Sequence, residues 1–86
     1  MVTESPHLTS YDAELRDRAE ALRSDAELMD VYARRLRATA DTLAGCPAAP
    51  EWSRPTLERQ AAACTTAAEQ LRSAAEALRI HAGAGD

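Results

Sequence analysis

Apart from the carboxylates, few side chains in this sequence are of the types that catalyse reactions or bind metal ions. The candidates are two histidines, two cysteines and three hydroxyl residues in an alanine-rich segment: His7, His81, Cys46, Cys64, Thr65, Thr66 and Ser73. None of the hydroxyls has a base and an orienting group at helical spacing. The single Glu-x-x-His sequence, from Glu4 to His7, has no second copy to pair with as a metal site in a helix bundle requires, and there is no glycine-rich phosphate loop. The sequence therefore predicts a protein that is not an enzyme, with no catalytic residue, no metal and no cofactor.

The two cysteines match neither a metal-ligand spacing nor a Cys-x-x-Cys motif. A disulfide between Cys46 and Cys64 would require the chain between them to fold back by about 13 Å along a helix that rises ~1.5 Å per residue. Two free thiols are the favoured alternative, with Cys64 acting as a small hydrophobic residue.

Large apolar residues recur every seven positions in both halves of the chain. In the first half they are Leu8, Leu15, Leu22, Met29, Leu36 and Leu43, and in the second half Leu57, Cys64, Leu71 and Leu78. Alanine follows most of them four residues later, at Ala19, Ala26, Ala33, Ala40, Ala61, Ala68, Ala75 and Ala82. Spacings of seven and four place these side chains on one stripe of a helix. A sustained repeat of this kind is typical of helices that pack along each other.

The pattern predicts an all-α fold in which residues 1–86 form a single domain. We expect an elongated antiparallel two-helix hairpin with a leucine and alanine seam. Helix one is predicted at about 10–44, the connector at 45–54 and helix two at about 54–82. Candidate signals for the helix ends are a capping box at Thr9 and Asp12 with Ser10 as its rival, a left-handed Gly45, an N-cap at Ser53 and a first-turn Pro55.

The predicted core is small, because 20 of the 86 residues are alanine and there is no phenylalanine. A two-helix hairpin also covers each seam only in part, so we expect a partner to complete a four-helix bundle. Four apolar residues off the seam are the candidate partner contacts, namely Leu28, Val31, Tyr32 and Ile80. Trp52, at the bend, is expected to close the open end of the core, to contact a partner, or to do both.

The charge pattern argues against nucleic acid as the partner. The formal net charge is −4, and no basic stripe with interleaved aromatic residues is present. No segment is long and apolar enough for a transmembrane helix, and the first residues do not resemble a Sec signal peptide. We therefore expect no membrane insertion and a cytoplasmic protein, unless it is exported without such a signal.

The segment from Trp52 to Ala61, with a tryptophan at the bend between two alanine- and leucine-rich helices, suggests a family. In architecture and size the chain resembles the Trp-x-Gly (WXG-type) helical-hairpin proteins of type VII (ESX) secretion, although Arg54 occupies the position of the family's glycine. The resemblance implies a hairpin that pairs with another helical hairpin, or with the helical N-terminal domain of a larger effector. It implies a secretion substrate, a co-secreted partner or a targeting chaperone. The alternative is a homodimeric structural or regulatory four-helix bundle with no role in secretion.

Overall fold

Two long helices account for nearly all of the structure. The computed structural model describes the backbone of residues 6–83 and the side chains of residues 10–83. Helix α1 spans Pro6–Ala44 and helix α2 spans Ser53–Gly83. The helices pack side by side as an antiparallel hairpin, and the described residues contain no strand. With extents of 76 × 13 × 12 Å and a radius of gyration of 20.0 Å, the chain is a rod, and the predicted all-α elongated hairpin is confirmed.

Helix α1 begins earlier than the capping signals predicted. Its first residue is Pro6, and proline suits the first turn because the amide it lacks has no partner there. Thr9, Ser10 and Asp12 therefore lie inside the helix, and the prediction that they cap its start was wrong. The side chains of His7 and Leu8 lie outside the described residues.

Helix α1 ends at the predicted residue, but the backbone conformation that ends it differs from the expected one. No described glycine has a positive φ, so Gly45 does not adopt the left-handed conformation that we expected. The last turn tightens instead, since Gly45 N–H donates to the Thr42 carbonyl at 3.2 Å and Cys46 N–H donates to the Leu43 carbonyl at 3.0 Å. These short bonds satisfy carbonyl groups that a helix end otherwise leaves unpaired.

Ser53 opens α2, although not as the expected N-cap. Its hydroxyl donates to the Pro50 carbonyl at 2.5 Å instead of accepting an amide hydrogen bond from the following turn. The carbonyl of Trp52 accepts from Thr56 N–H at 3.1 Å. Ser53 is buried, so its side chain joins the connector to the start of the helix.

Alanine forms the centre of the helix interface. Eight alanines at seven-residue spacing are at most 2% exposed, namely Ala19, Ala26, Ala33, Ala40, Ala61, Ala68, Ala75 and Ala82. A side chain of one methyl group lets the two backbones approach closely along the full length of the hairpin. The seam is therefore narrower than a leucine seam and buries no large side chain completely.

The leucines flank this seam instead of filling it. Of the nine large seam residues whose side chains are described, only Leu15 is buried, and eight are half-buried: Leu22, Met29, Leu36, Leu43, Leu57, Cys64, Leu71 and Leu78. Closely spaced backbones leave no room for these longer side chains between the helices. Within the predicted leucine and alanine seam, alanine occupies the positions of closest contact and the larger residues lie at its margin.

Contacts between the helices fix their register. Arg72 contacts Asp30, and Arg37 contacts Thr65; the residue numbers in each pair add to 102. In antiparallel helices, residues at the same level have numbers with a constant sum. The buried alanines form pairs whose numbers add to 101, within one residue of this register, so each buried alanine of α1 faces a buried alanine of α2. The alanine pairs are Ala19 with Ala82, Ala26 with Ala75, Ala33 with Ala68, and Ala40 with Ala61.

Enlarging one seam alanine should destabilise the hairpin. We expect Ala33→Leu to lower the free energy of unfolding by about 1–3 kcal/mol, because the larger side chain forces the backbones apart. Ala38→Leu is the matched control on the exposed side of the same helix and should change it by less than about 0.5 kcal/mol. Urea unfolding followed by circular dichroism measures both. Equal effects would contradict a seam set by alanine size.

Replacing Gly45 with alanine should stabilise the protein. Gly45 has no positive φ, and an added Cβ meets only the Thr42 carbonyl oxygen, at 3.9 Å. We therefore expect Gly45→Ala to raise the free energy of unfolding by about 0.4–1 kcal/mol, since alanine restricts the unfolded chain. The same urea titration tests it, and a loss of stability would show that Gly45 needs a glycine-only conformation.

Candidate protein-interaction surface

The histidine, cysteine and hydroxyl side chains that could catalyse a reaction or bind a metal do not come together in one site. His81 and Ser73 are exposed on α2, and both cysteines are free thiols. Thr65 accepts a hydrogen bond from Arg37 at 3.3 Å. Within the described part of the chain, no three His, Cys, Asp or Glu side chains lie close enough together to hold a metal ion.

The half-buried leucines of both helices emerge on one side of the rod. On each helix the leucine row lies about 50° from the alanine row, in the same rotational sense along the chain. Because the helices are antiparallel, equal rotations bring both rows to the same side of the hairpin. We call this side the leucine face, and it consists of Leu15, Leu22, Met29, Leu36, Leu43, Leu57, Cys64, Leu71 and Leu78.

Two exposed residues extend the leucine face at the middle of α1. Leu28 is 50% exposed and Tyr32 is 43% exposed. They are four residues apart, and Tyr32 is also four residues before Leu36, so the three side chains are neighbours on the helix surface. Two of the predicted partner contacts therefore adjoin the leucine face.

The opposite side of the rod carries charges that link the helices. Arg72 Nη2 lies 2.6 Å from Asp30 Oδ2, and Arg23 lies 3.9 Å from Glu76. Glu76 also accepts two hydrogen bonds from Arg79. These bonds from Arg79 hold the pKa of the Glu76 carboxyl below its ordinary value, and they raise the pKa of the Arg79 guanidinium. The contacts of Arg72 and Arg23 join the two helices on what we call the charged face.

The residues that border the leucine face, which we call its α1 edge and its α2 edge, differ in charge between the two helices. The α2 edge has no acidic or arginine side chain and consists of Thr56, Gln60, Ala63, Ala67, Gln70, Ala74, Ala77 and His81. The α1 edge carries two acids and two arginines, Glu14, Arg18, Asp25 and Arg35, so its formal charge is zero. Glu14 and Arg18 pair with each other at 2.9 Å.

Val31 and Ile80 lie away from the leucine face. Val31 is half-buried beside Asp30 and Arg72 on the charged face. Ile80 is 58% exposed and lies five residues after the buried Ala75, about 140° from it around the helix. The structure thus does not assemble the five predicted partner contacts into one surface.

Trp52 points into solvent at the bend. It is 68% exposed, the highest value among the large apolar side chains of the described region. In the single chain its ring therefore does not close the open end of the core, and this part of the expectation was wrong. An exposed indole is the form expected of a partner contact.

The sequence pattern was sufficient to predict the leucine face, but the prediction placed the leucines in the seam between the helices instead. The signal was the common order of the two rows, in which alanine follows leucine by four residues on both helices. The uncharged α2 edge was likewise visible as a stretch from Gln60 to Ala68 without an acid or arginine. Tyr11, which is 48% exposed on the α1 edge, was missed altogether.

Neither helix contains, within the described residues, a stretch that meets the length and hydropathy needed to cross a bilayer. Comparison with protein-family models, with curated proteins and with solved structures found no match to this chain.

Proposed function

We propose that this protein is a non-enzymatic interaction module whose leucine face docks on another helical hairpin and completes a four-helix bundle. The observation that carries the proposal is the half-exposure of eight regularly spaced apolar residues on one side of the rod. Contiguous apolar surface of this kind marks interaction sites. The opposite, charged face has its main ion pairs within the chain and offers no comparable apolar row.

The exposed area supports the same proposal. The chain exposes 6272 Å², whereas a compact monomer of 9.3 kDa exposes about 5,000 Å². The excess of roughly 1,300 Å² is more than the ~800 Å² that each partner buries in a standard interface. A hairpin that covers the leucine face would bring the chain close to the exposure of a compact domain.

The resemblance to the WXG-type hairpins gives this module a proposed context. A substrate, a co-secreted partner or a targeting chaperone of type VII secretion would each need a hairpin with one open apolar face. Its partner would be a second hairpin protein or the helical N-terminal domain of a larger effector. Exposure of Trp52 at the bend is compatible with this context, because a partner could cover the indole.

A second candidate is a homodimeric bundle with no role in secretion. The observation that favours it is the zero formal charge on the leucine face and its edges, although the whole chain carries −4. Two copies of this face would not repel each other, since the surplus acids lie elsewhere.

Charges placed at the middle of the leucine face should abolish assembly. We expect the double variant Leu28→Glu, Tyr32→Glu to remain helical and to lose its partner, because two carboxylates would have to be buried without counter-charges. Light scattering gives the mass of the purified assembly, and circular dichroism gives the helix content. The matched control is Ile80→Glu, which should assemble normally. Assembly that survives the double variant but fails in the control would place the docking surface elsewhere.

Trp52 provides an optical test of whether the bend takes part. It is the only tryptophan, and it is 68% exposed, so the isolated chain should show the long-wavelength emission of an indole in water, readily quenched by acrylamide. On assembly we expect a shift to shorter wavelength and weaker quenching, as the ring leaves water. Unchanged emission in a proven complex would remove Trp52 from the proposed contacts.

A further inference from the structure

We propose that the leucine face is covered by a second copy of this chain, with α1 lying antiparallel on α1 and α2 lying antiparallel on α2. This inference rests on the proposed function, because it assumes that the leucine face is the docking surface. It adds the identity of the occupant and the register of the bundle. Three features support it: the symmetry of the leucine rows, the α2 edge and the charges of the α1 edge.

The α1 leucine row is symmetric about one level of the rod, and the α2 row is symmetric about the same level except for Leu57. Leu15, Leu22, Leu36 and Leu43 lie at equal spacings on either side of Met29. Residues of the two rows that lie at the same level along the rod have numbers that add to 100, so Leu71 of α2 lies beside Met29 of α1. Cys64 and Leu78 flank Leu71 in turn. A two-fold axis through this level places every α1 row residue against a row residue of the second copy.

The α2 edge matches itself under the same two-fold axis. An axis level with Leu71 pairs α2 residues whose numbers add to about 142. Ala67 therefore lies near Ala74 of the second copy, and Ala63 near Ala77 of the second copy, because the numbers in these pairs add to 141 and 140. Gln70 then meets Gln70 of the second copy close to the axis. Small side chains opposite each other permit the close backbone approach that the alanine seam shows within one chain.

The charges of the α1 edge are compatible with this arrangement. Within residues 10–83, Asp25 and Arg35 form no ion pair in the single chain. Under the two-fold axis, Asp25 lies between Tyr32 and Arg35 of the second copy, a hydroxyl donor and a counter-charge. In the alternative arrangement, α1 of one copy would lie on α2 of the other. These charges would then lie over the α2 edge, which has no acid or arginine. The like-on-like arrangement therefore leaves fewer charges without partners.

A symmetric disulfide tests the register directly. In a Cys46→Ser, Cys64→Ala background, Gln70→Cys places one thiol per chain near the proposed axis, and Ser73→Cys places one on the exposed side of the same helix. Copper–phenanthroline oxidation and a non-reducing gel then measure covalent dimer. We expect Gln70→Cys to cross-link about tenfold faster or more, because docking raises the effective concentration of its thiols. Light scattering of the unmodified chain should give twice 9.3 kDa.

The other outcomes are distinct. A monomeric mass throughout the micromolar range would overturn the second copy as occupant, while leaving the leucine face to a different hairpin. A dimer in which the two thiols cross-link at equal rates would overturn the like-on-like register. A dimer that persists in the Leu28→Glu, Tyr32→Glu variant would overturn both this inference and the proposed docking face.

Discussion

The close approach of two helices over alanine is the constraint on which the rest of this structure depends. Eight buried methyl groups hold the backbones together along the rod, and the pairs of facing alanines share one register. Each methyl group contributes little free energy by itself, because hydrophobic stabilisation scales with the buried apolar area and one methyl group has little of it. The interface therefore gains its stability from length and repetition. Cross-helix contacts such as Arg72 with Asp30 lie on one side of this seam and support its register.

The same constraint explains why one side of the molecule carries an apolar surface. Leucine side chains that cannot enter an alanine seam must turn to one side, and the antiparallel arrangement turns both rows to the same side. The apolar surface is thus a direct result of how the hairpin itself packs. An uncharged edge on α2 and a neutral edge on α1 make that surface suitable for another helical pair. Trp52 adds an exposed aromatic ring at one end of the rod.

The heptad pattern was sufficient to predict two antiparallel helices, their connector and the elongated shape, because periodicity and proline positions act locally. It was insufficient to assign the core. Leucine and alanine repeat with the same period, and only the distance between the backbones decides which of them is buried. Gly45 and Ser53 marked the correct helix ends, but their hydrogen bonds depend on the path of the connector, which no spacing rule specifies. Val31 and Ile80 were grouped with Leu28 because all three are apolar and lie off the seam, but their angular positions separate them.

The pairing of the alanines also sets the order in which the hairpin can form and open. Near the bend, Ala40 and Ala61 are separated by about 20 residues of chain, whereas Ala19 and Ala82 at the open end are separated by about 60. The entropy of closing a loop grows with its length, so contacts near the bend form at the lowest cost and later pairs add to an existing stem. Unfolding runs in the reverse direction, from the end where the helix termini lie. Amide hydrogen exchange should accordingly slow down along each helix towards the connector, with the slowest amides around Ala40 and Ala61.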